Sequence, residues 1–386
     1  MTTPHEKSAP ALLLMVAGAK GAIASTVAVA AAELRHDAPH VLSSLTTTAA
    51  MPLDDGPVRL HIAGWDTADG TLADAVRRHG VVPAATWAPH GDFLAGIALR
   101  TPPAADAPLA EQVAAIVRDM QDFMALDPQA QPVWVNLLPA ACDIAPGTAM
   151  ESVEDLLRLP PPVMPDLAYT LAALEVGLPI VNFTPNTIEL PPICRDARRR
   201  GIPLAGRDGK TGQTYFKVVL ASALKARALY VDGWYSLNIL GNSDGRNLMD
   251  PERACGKLNN KTRLLDEILG YPVGERYDTP THKVHIDYYP PRGDAKEAWD
   301  VIDFTGIFGL PMSLRLNLQG RDSILAAPMV IDLARWAAAL KAAGIGGPVP
   351  DLGFFFKKPV GESPPLTFQA QLAALERLAA AIRDAH

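Results

Sequence analysis

The stretch Val16–Ala24, VAGAKGAIA, decides the fold of the first half of the chain. It follows the apolar run Leu12–Val16 and opens a segment rich in alanine and valine. Glycines at a strand-to-helix turn let the backbone approach a pyrophosphate at the helix N-terminus. The spacing Gly18, Gly21, Ala24 is a variant of the dinucleotide fingerprint, although tight turns without a ligand use the same glycines. The turn predicts a dinucleotide site with contacts from Gly18, Ala19, Gly21, Ala22 and Ile23.

Strand-like and helix-like segments alternate through this half of the chain. Strands are predicted at 12–16, 58–66, 132–139, 179–183 and 202–206. Helices are predicted after the glycine turn and at 71–80, 109–125, 166–176 and 190–200. Such alternation predicts a parallel sheet with helices on both faces.

Asp66 ends the second predicted strand, where an acid would hydrogen-bond the adenosine ribose of a dinucleotide. It lies further from the turn than the usual ~20 residues, so this role requires an insertion between the two elements. The alternative is a turn residue or helix cap, because the following residues, TADG, are also typical of a turn.

The pattern changes after about residue 230. Apolar and polar residues alternate with period two at 283–289, 298–304 and 312–318, which predicts a largely antiparallel sheet with one covered face. A long helix at 322–344 with Asp322 as its N-cap, a buried strand at 352–356 and a helix at 367–385 follow. The sequence thus predicts an α/β protein. Its Rossmann-type NAD-binding domain, 1–230 and 335–386, holds an inserted α+β domain with a mixed or antiparallel sheet, 231–334.

Composition and residue spacing argue against several classes of binding partner and of metal site. A net charge of −7 argues against nucleic acid as the main partner, and the apolar run 12–16 is too short to span a membrane. Three scattered cysteines form no disulfide or zinc pattern and favour a cytoplasmic setting. His282 and His285 would point to opposite faces of a strand, so no metal site is predicted there.

The stretch Gly206–Thr214, GRDGKTGQT, is a loop able to surround a phosphate. It is not a nucleotide P-loop, because Leu204 stands where that motif needs its first glycine. Backbone N–H groups, two threonine hydroxyls and the Gln213 amide could hold a phosphate monoester. The alternative is a helix cap with an incidental lysine.

Lysines are scarce, at 12 against 23 arginines. Unlike arginine, lysine can give up its proton when its surroundings lower its pKa. Four lysines of the second half lie in glycine-, proline- or aspartate-containing contexts: Lys257, Lys261, Lys296 and Lys357. They are candidates for proton exchange, and the alternative is solvated surface charge.

The segment Ser236–Leu248, SLNILGNSDGRNL, collects side-chain amides and carboxylates in a turn. It could orient an amide ring, a sugar, or a monovalent or divalent cation, but it lacks the spacing of a calcium loop. The alternative is an ordinary surface turn.

Several motifs, in this order, resemble the myo-inositol-1-phosphate synthase (inositol-3-phosphate synthase) family. They are GWD, VNL (135–137), PNT (185–187), GRDGKTGQT, SLNILGNSDGRNL, GKLNNK, GDAK and DSILAAPMVIDL. The resemblance implies a Rossmann-type domain with an inserted domain that also mediates homotetramer formation. It further implies the cyclisation of glucose 6-phosphate to inositol phosphate, with NAD recycled.

The resemblance also implies residue roles. The predicted catalytic residues are Lys257, Lys261, Lys296, Lys357 and Asp294. The substrate phosphate would be held by Thr211, Gly212, Gln213, Thr214 and Lys296. NAD would be held by the turn residues together with Asp66, Asn136, Asp208, Asn242, Asp244 and Asp322.

The sequence departs from the family pattern in the first turn, GAKGAIA, which is commonly richer in Gly and Asn, and at three single positions, namely Arg207, Ile239 and Ser243. They leave the four lysines and the phosphate loop in place, so they bear on the identity of the substrate more than on the type of reaction. The alternatives are a related NAD-dependent cyclase acting on a different sugar phosphate, a plain sugar-phosphate dehydrogenase that consumes NAD, and a non-catalytic NAD-binding protein.

Overall fold

The computed structural model describes residues 11–53, 58–141, 150–241, 245 and 263–385. The strands are β1 Leu12–Ala17, β2 Leu60–Trp65, β3 Ala98–Arg100, β4 Gln131–Asn136, β5 Ile180–Asn182, β6 Pro203–Gly206, β7 Tyr230–Leu240, β8 His282–Tyr288, β9 Ala295–Thr305, β10 Pro311–Arg321 and β11 Gly347–Pro348.

The α-helices are α1 Ala22–Glu33, α2 Pro39–Leu42, α3 Thr46–Ala49, α4 Leu72–His79, α5 Ala84–Trp87, α6 Gly91–Ala95, α7 Leu109–Leu126, α8 Val153–Leu157, α9 Pro165–Val176, α10 Pro191–Arg199, α11 Gly212–Ala226, α12 Arg263–Leu269, α13 Asp322–Ala342 and α14 Phe368–Asp384.

Seven strands form a parallel sheet in the order β11-β6-β5-β4-β1-β2-β3. Read from β3, this is the doubly wound order 3-2-1-4-5-6 with β11 added at one edge. The order reverses between β1 and β4, and ligands of such sheets bind outside the carboxyl ends of the strands at that point. The predicted α/β fold with a Rossmann-type sheet is confirmed.

Helices cover both faces of this sheet. All six residues of β1 are buried, which is why its sequence, LLLMVA, is continuously apolar. Helices α1, α13 and α14 contribute to one core cluster, and α7, α9 and α10 to the other. Within the described ranges, α13 alone is long and apolar enough to cross a membrane, but 72% of its most apolar window is buried inside the protein.

A second sheet of four strands has the order β10-β9-β7-β8. Strand β9 runs antiparallel to both of its neighbours, whereas β7 and β8 are parallel, so the sheet is mixed. Helices α11 and α12 pack on one face through a cluster that includes Val218, Trp234, Ile268 and Ile302. The predicted second sheet, mixed and largely antiparallel, is therefore confirmed, with the β7–β8 pair as its parallel part.

Two local predictions are wrong. Residues 352–356 do not form a strand, because Pro350–Phe354 is a 3-10 helix and Phe356 makes an isolated bridge to Gly209. Asp322 is the first residue of α13 rather than its cap, since Arg321 occupies the cap position. The division into domains stays a prediction, and its boundary between 334 and 335 falls within α13.

Candidate functional site

The phosphate loop joins β6 to α11, as the sequence predicts. Its backbone is held on one side by Phe183, whose carbonyl accepts the Gly209 N–H at 3.0 Å. On the other side, the Phe355 carbonyl accepts the Lys210 N–H at 2.7 Å. A Cβ on Gly209 would lie 2.1 Å from the Phe183 ring, so the loop can pass this ring only as glycine.

The N-terminus of α11 provides the anion-binding geometry. The N–H groups of Gly212, Gln213 and Thr214 belong to the first helical turn and have no intrahelical acceptor. The cap residue Thr211 makes no side-chain cap bond, and its hydroxyl instead donates to Asp322 Oδ1 at 3.0 Å. The first-turn amides and the helix dipole together suit a phosphate.

Two of the predicted lysines lie at this helix end. Lys296 Nζ, on β9, donates to Asp322 Oδ2 at 3.3 Å, and Asp322 also holds Thr211. Lys357 Nζ donates to Asp208 Oδ1 at 2.8 Å, and its backbone N–H donates to the Asp208 carbonyl. The structure therefore brings together five predicted site residues from the loop, β9, α13 and the segment after the 3-10 helix.

The pKa of Asp322 reflects this cluster. Burial alone would raise the pKa, but the charges of Lys296 and Lys357 more than offset it and hold the pKa below its usual value. Asp322 is thus an anion between two cations beside the loop. Although predicted as a cofactor contact, it lies next to the predicted substrate-phosphate residues.

Asp294 lies beside this cluster rather than against Lys296. Its Oδ1 accepts from the Ser323 hydroxyl at 3.4 Å, and its buried Oδ2 has no partner among the described residues. Burial raises the pKa of Asp294, with the cation Arg321 acting in the opposite direction. The resemblance implies that Asp294 orients Lys296 or its neighbours, and its one described hydrogen-bond partner is Ser323 rather than Lys296.

The glycine turn divides its predicted cofactor residues into two groups. Gly18 and Ala19 both donate their N–H to the Trp65 carbonyl at 3.0 Å, and Gly21 donates to the Gly18 carbonyl. Gly18 has φ +83°, and a Cβ there would lie 2.7 Å from the Leu137 carbonyl oxygen. By contrast, the N–H groups of Ala22 and Ile23 open α1 and have no intrahelical acceptor.

Asp66 follows β2 and closes this turn. Its Oδ2 accepts the Lys20 N–H at 2.7 Å, and its Oδ1 accepts the Ala68 N–H at 2.8 Å. A carboxylate keeps further lone pairs after two such bonds. The predicted ribose contact therefore stays a prediction, and the structure adds a role in fixing the turn.

Asn136 ends β4 and is fully buried. Its Nδ2 donates to Asp166 Oδ1 at 2.6 Å, and its Oδ1 accepts the Leu138 N–H at 3.2 Å. Burial raises the pKa of Asp166. The Asn136 amide thus belongs to a buried polar network at the carboxyl ends of β4 and β5, and its predicted contact with NAD stays a prediction.

Four predicted site residues lie outside the described residues: Lys257, Lys261, Asn242 and Asp244. The roles predicted for them are untested by the structure. Among the described residues, no group of three or more His, Cys, Asp or Glu side chains is placed to hold a metal ion.

Sequence reasoning missed a buried pair beneath the phosphate loop. Asp300, on β9, is 1% exposed and accepts from Gln213 Nε2 at 2.9 Å. Lys217, on α11, is 6% exposed, and the charge of Asp300 acts on it. The signal was available, because in residues 298–304 Asp300 shares its face with the apolar Ala298 and Ile302.

Lys210, the lysine within the loop, points away from this cluster. It is 3% exposed and donates to the Gly353 carbonyl at 3.0 Å and to Gln371 Oε1 at 2.8 Å. Burial lowers its pKa to about 7. Its contacts tie the loop to the 3-10 helix and α14.

Comparisons with known proteins find similar sequences along much of the chain. The family model of myo-inositol-1-phosphate synthase matches residues 212–323. Inositol-3-phosphate synthase 1 of Bacteroides thetaiotaomicron is 42% identical over 202 residues, which are 51% of this chain and 47% of that protein. Inositol-3-phosphate synthase 1 of Bos taurus is 30% identical over 343 residues, which are 79% of this chain and 60% of that protein.

The fold extends the similarity along the chain. The crystal structure of inositol-3-phosphate synthase from Caenorhabditis elegans superposes with a TM-score of 0.84 at 20% identity, covering 96% of this chain and 85% of that one. The chain spans about half to three fifths of the length of the curated relatives it matches. By these sequence matches the chain is related to the myo-inositol-1-phosphate synthase family, which confirms the resemblance that its motifs indicate.

Proposed function

We propose that the protein is an enzyme that cyclises glucose 6-phosphate to myo-inositol phosphate, with NAD recycled in each turnover. The observation that carries this proposal is the cluster at the N-terminus of α11. There, three first-turn amides lie where Lys296 pairs with Asp322, which also accepts from Thr211, and where Lys357 pairs with Asp208. A plain phosphate-binding helix end does not need two lysines with acidic partners.

The residues of the glycine turn fit a dinucleotide. Gly18 is held at positive φ against Leu137, where no side chain has room, so the backbone can approach a pyrophosphate. Ala22 and Ile23 would donate their N–H groups to it, and Asp66 would accept from a ribose hydroxyl. When bound, NAD would accept a hydride from C5 of the sugar and later return it.

The chain's own residues would manage charge and protons. Lys296 and the amides of residues 212–214 would hold the phosphate, which fixes the sugar for reaction. Lys257 would exchange the C5 hydroxyl proton. Lys261 and Lys357 would stabilise the negative charge on the enolate and C1 oxygens during ring closure. Asp208 would hold a cofactor ribose beside its bond to Lys357, and Asn242 and Asp244 would hold the cofactor or a cation.

The second sheet offers a surface for the proposed homotetramer. Its face opposite α11 and α12 carries Tyr235 and Trp299, which are 44% and 49% exposed. Exposed aromatic side chains on an uncovered sheet face are typical of an interface. We expect Trp299→Glu to lower the assembly state measured by light scattering, and an unchanged mass would remove this face from the interface. A cytoplasmic location is part of the same proposal.

One observation favours the alternative of a different sugar phosphate. Arg207, at a position where the family pattern differs, pairs with Glu189 at 3.2 Å, directly before Asp208. A change at this position can alter the pocket wall while leaving Lys357 in place. Ile239 and the undescribed Ser243 are the other two departures.

A phosphorus and carbon NMR time course with glucose 6-phosphate and catalytic NAD tests the proposal. Formation of an inositol phosphate without net NADH is the expected result. A sugar lactone or keto product formed together with one NADH each, in an amount limited by the NAD supplied, would instead identify a plain dehydrogenase. No reaction with glucose 6-phosphate, but turnover of another sugar phosphate, would identify the related cyclase.

A further inference from the structure

Lys217 and Asp300 are buried residues of opposite charge near the end of α11 that is proposed to hold the phosphate, and the charge of Asp300 acts on Lys217. Lys217 is four residues after Gln213, so both side chains lie on one face of the helix, separated by about 6 Å along its axis. Both residues of the pair are nearly inaccessible to solvent. Neither has a role in the reaction steps assigned above.

Asp300 fixes Gln213 against the second sheet. It accepts from Gln213 Nε2 at 2.9 Å, from Trp234 Nε1 at 2.8 Å and from Ser236 Oγ at 2.5 Å. Because an ionised carboxylate is only an acceptor, it determines which end of the Gln213 amide faces the sheet. Gln213 would then meet a phosphate through its backbone N–H, and Asp300 would hold that N–H in place.

A carboxylate beneath a phosphate needs a compensating charge. Lys217 supplies it, with Nζ 2.9 Å from His282 Nε2 and 5.9 Å from the Trp234 ring centroid. The charged or titratable groups that face Lys217 among the described residues are Asp300, His282 and Lys296. Burial lowers the pKa of Lys217 to about 8, with Asp300 raising it and Lys296 lowering it further. Phosphate bound nearby would favour the charged form.

We propose that Lys217 and Asp300 are positioning residues of the phosphate site, and that phosphate binding is coupled to the positive charge of Lys217. Asp300 orients Gln213, and Lys217 balances Asp300 and attracts the phosphate from within the protein. This inference rests on the proposed phosphate site but not on the reaction that follows binding.

Calorimetric titration of the full chain with glucose 6-phosphate, and with inorganic phosphate, tests the coupling. We expect Lys217→Met to weaken binding about tenfold at pH 7, as removal of a charged hydrogen-bonding group does. Lys225→Met is the matched control, because Lys225 lies on the same helix and donates to the Ile268 carbonyl at 2.6 Å, away from the phosphate. The affinity of Lys225→Met for both ligands should equal that of the wild-type protein.

The pH dependence separates this role from a structural one. A sugar phosphate is largely dianionic above pH 7, since its second pKa is ~6. Wild-type affinity should therefore fall as the pH rises from 7 to 9.5 and Lys217 loses its proton. Lys217→Arg, which stays charged, should lose that part of the pH dependence.

A double variant covers the case in which Lys217→Arg does not fold. Lys217→Met with Asp300→Asn should bind phosphate more tightly than Lys217→Met alone, because no uncompensated carboxylate is left. Equal affinity of the wild type and Lys217→Met would overturn the proposal. So would a double variant whose change in affinity is the sum of the changes caused by Lys217→Met alone and Asp300→Asn alone. Wild-type protein that binds phosphate but makes no inositol phosphate would remove only the proposed reaction, whereas no phosphate binding at all would overturn both.

Discussion

Helices α1 and α11 both begin where a parallel strand of the large sheet ends, yet their N-termini are built differently. At α1 the turn is shaped by backbone hydrogen bonds to Trp65 and by Gly18 at positive φ. At α11 the first-turn amides are surrounded by charged side chains, including Lys296, Lys357 and Asp322. Under the proposed function, backbone geometry would suffice to hold a cofactor diphosphate, whereas a reacting sugar phosphate would require charges around it.

The largest expected effect is at the N-terminus of α11, where charged side chains surround the first-turn amides. Lys357→Ala should reduce turnover of glucose 6-phosphate about 100-fold or more, because a cation facing developing oxyanion charge is lost. Its affinity for NAD, measured by fluorescence quenching, should stay within about threefold of the wild type. Lys358→Ala removes the same charge one residue away and is the control. Full turnover by Lys357→Ala would show that charge around α11 is dispensable.

A smaller effect is expected at the N-terminus of α1, which is shaped by backbone hydrogen bonds. Gly18→Ala places a Cβ against Leu137 at positive φ and should weaken NAD binding about tenfold, the order of one strained residue. Gly177→Ala is the matched control, since Gly177 has φ +85° with nothing within 4 Å of a Cβ. Equal loss in both variants would trace the effect to general backbone strain, and the comparison between the two helix ends would fail.

The smallest effect on the two proposed ligand sites is expected at Lys210, which lies in the loop but outside the charged cluster, and which should act on stability instead. Its pKa is about 7 in the folded protein against 10.5 for an ordinary lysine, so the unfolded chain binds more protons between these two values. Stability relative to Lys210→Met should therefore rise with pH from 7 to 10, on the order of 1 kcal/mol per pH unit. Chemical denaturation at several pH values measures this, and parallel profiles for the two proteins would contradict it.

Much of the difference between the N-termini of α1 and α11 could be predicted from short stretches of sequence. The glycine turn, the apolar β1 and the loop before α11 carry their signals in consecutive residues. The apolar run 352–356 led to a wrong strand prediction, because a short apolar run does not distinguish a strand from a buried helical turn. Pro350 begins a 3-10 helix there, and the chain then pairs with the phosphate loop through Phe356.

The unpredicted part depends on contacts between distant segments. Asp322 looked like a helix cap, and only the approach of β9 and α11 gives it Lys296 and Thr211 as partners. Lys217 and Asp300 come together because α11 packs on the second sheet, which no spacing along the chain specifies. Sequence patterns therefore located the two strand-to-helix turns, whereas the charges beneath them required the tertiary structure.

A crystal structure with glucose 6-phosphate and NAD bound tests the distinction between the two helix ends most directly. The sugar phosphate should lie within hydrogen-bonding distance of the N–H groups of residues 212–214 and of Lys296 Nζ, with the NAD diphosphate at Ala22 and Ile23. A sugar phosphate at α1, or a dinucleotide diphosphate at α11, would contradict the assignment.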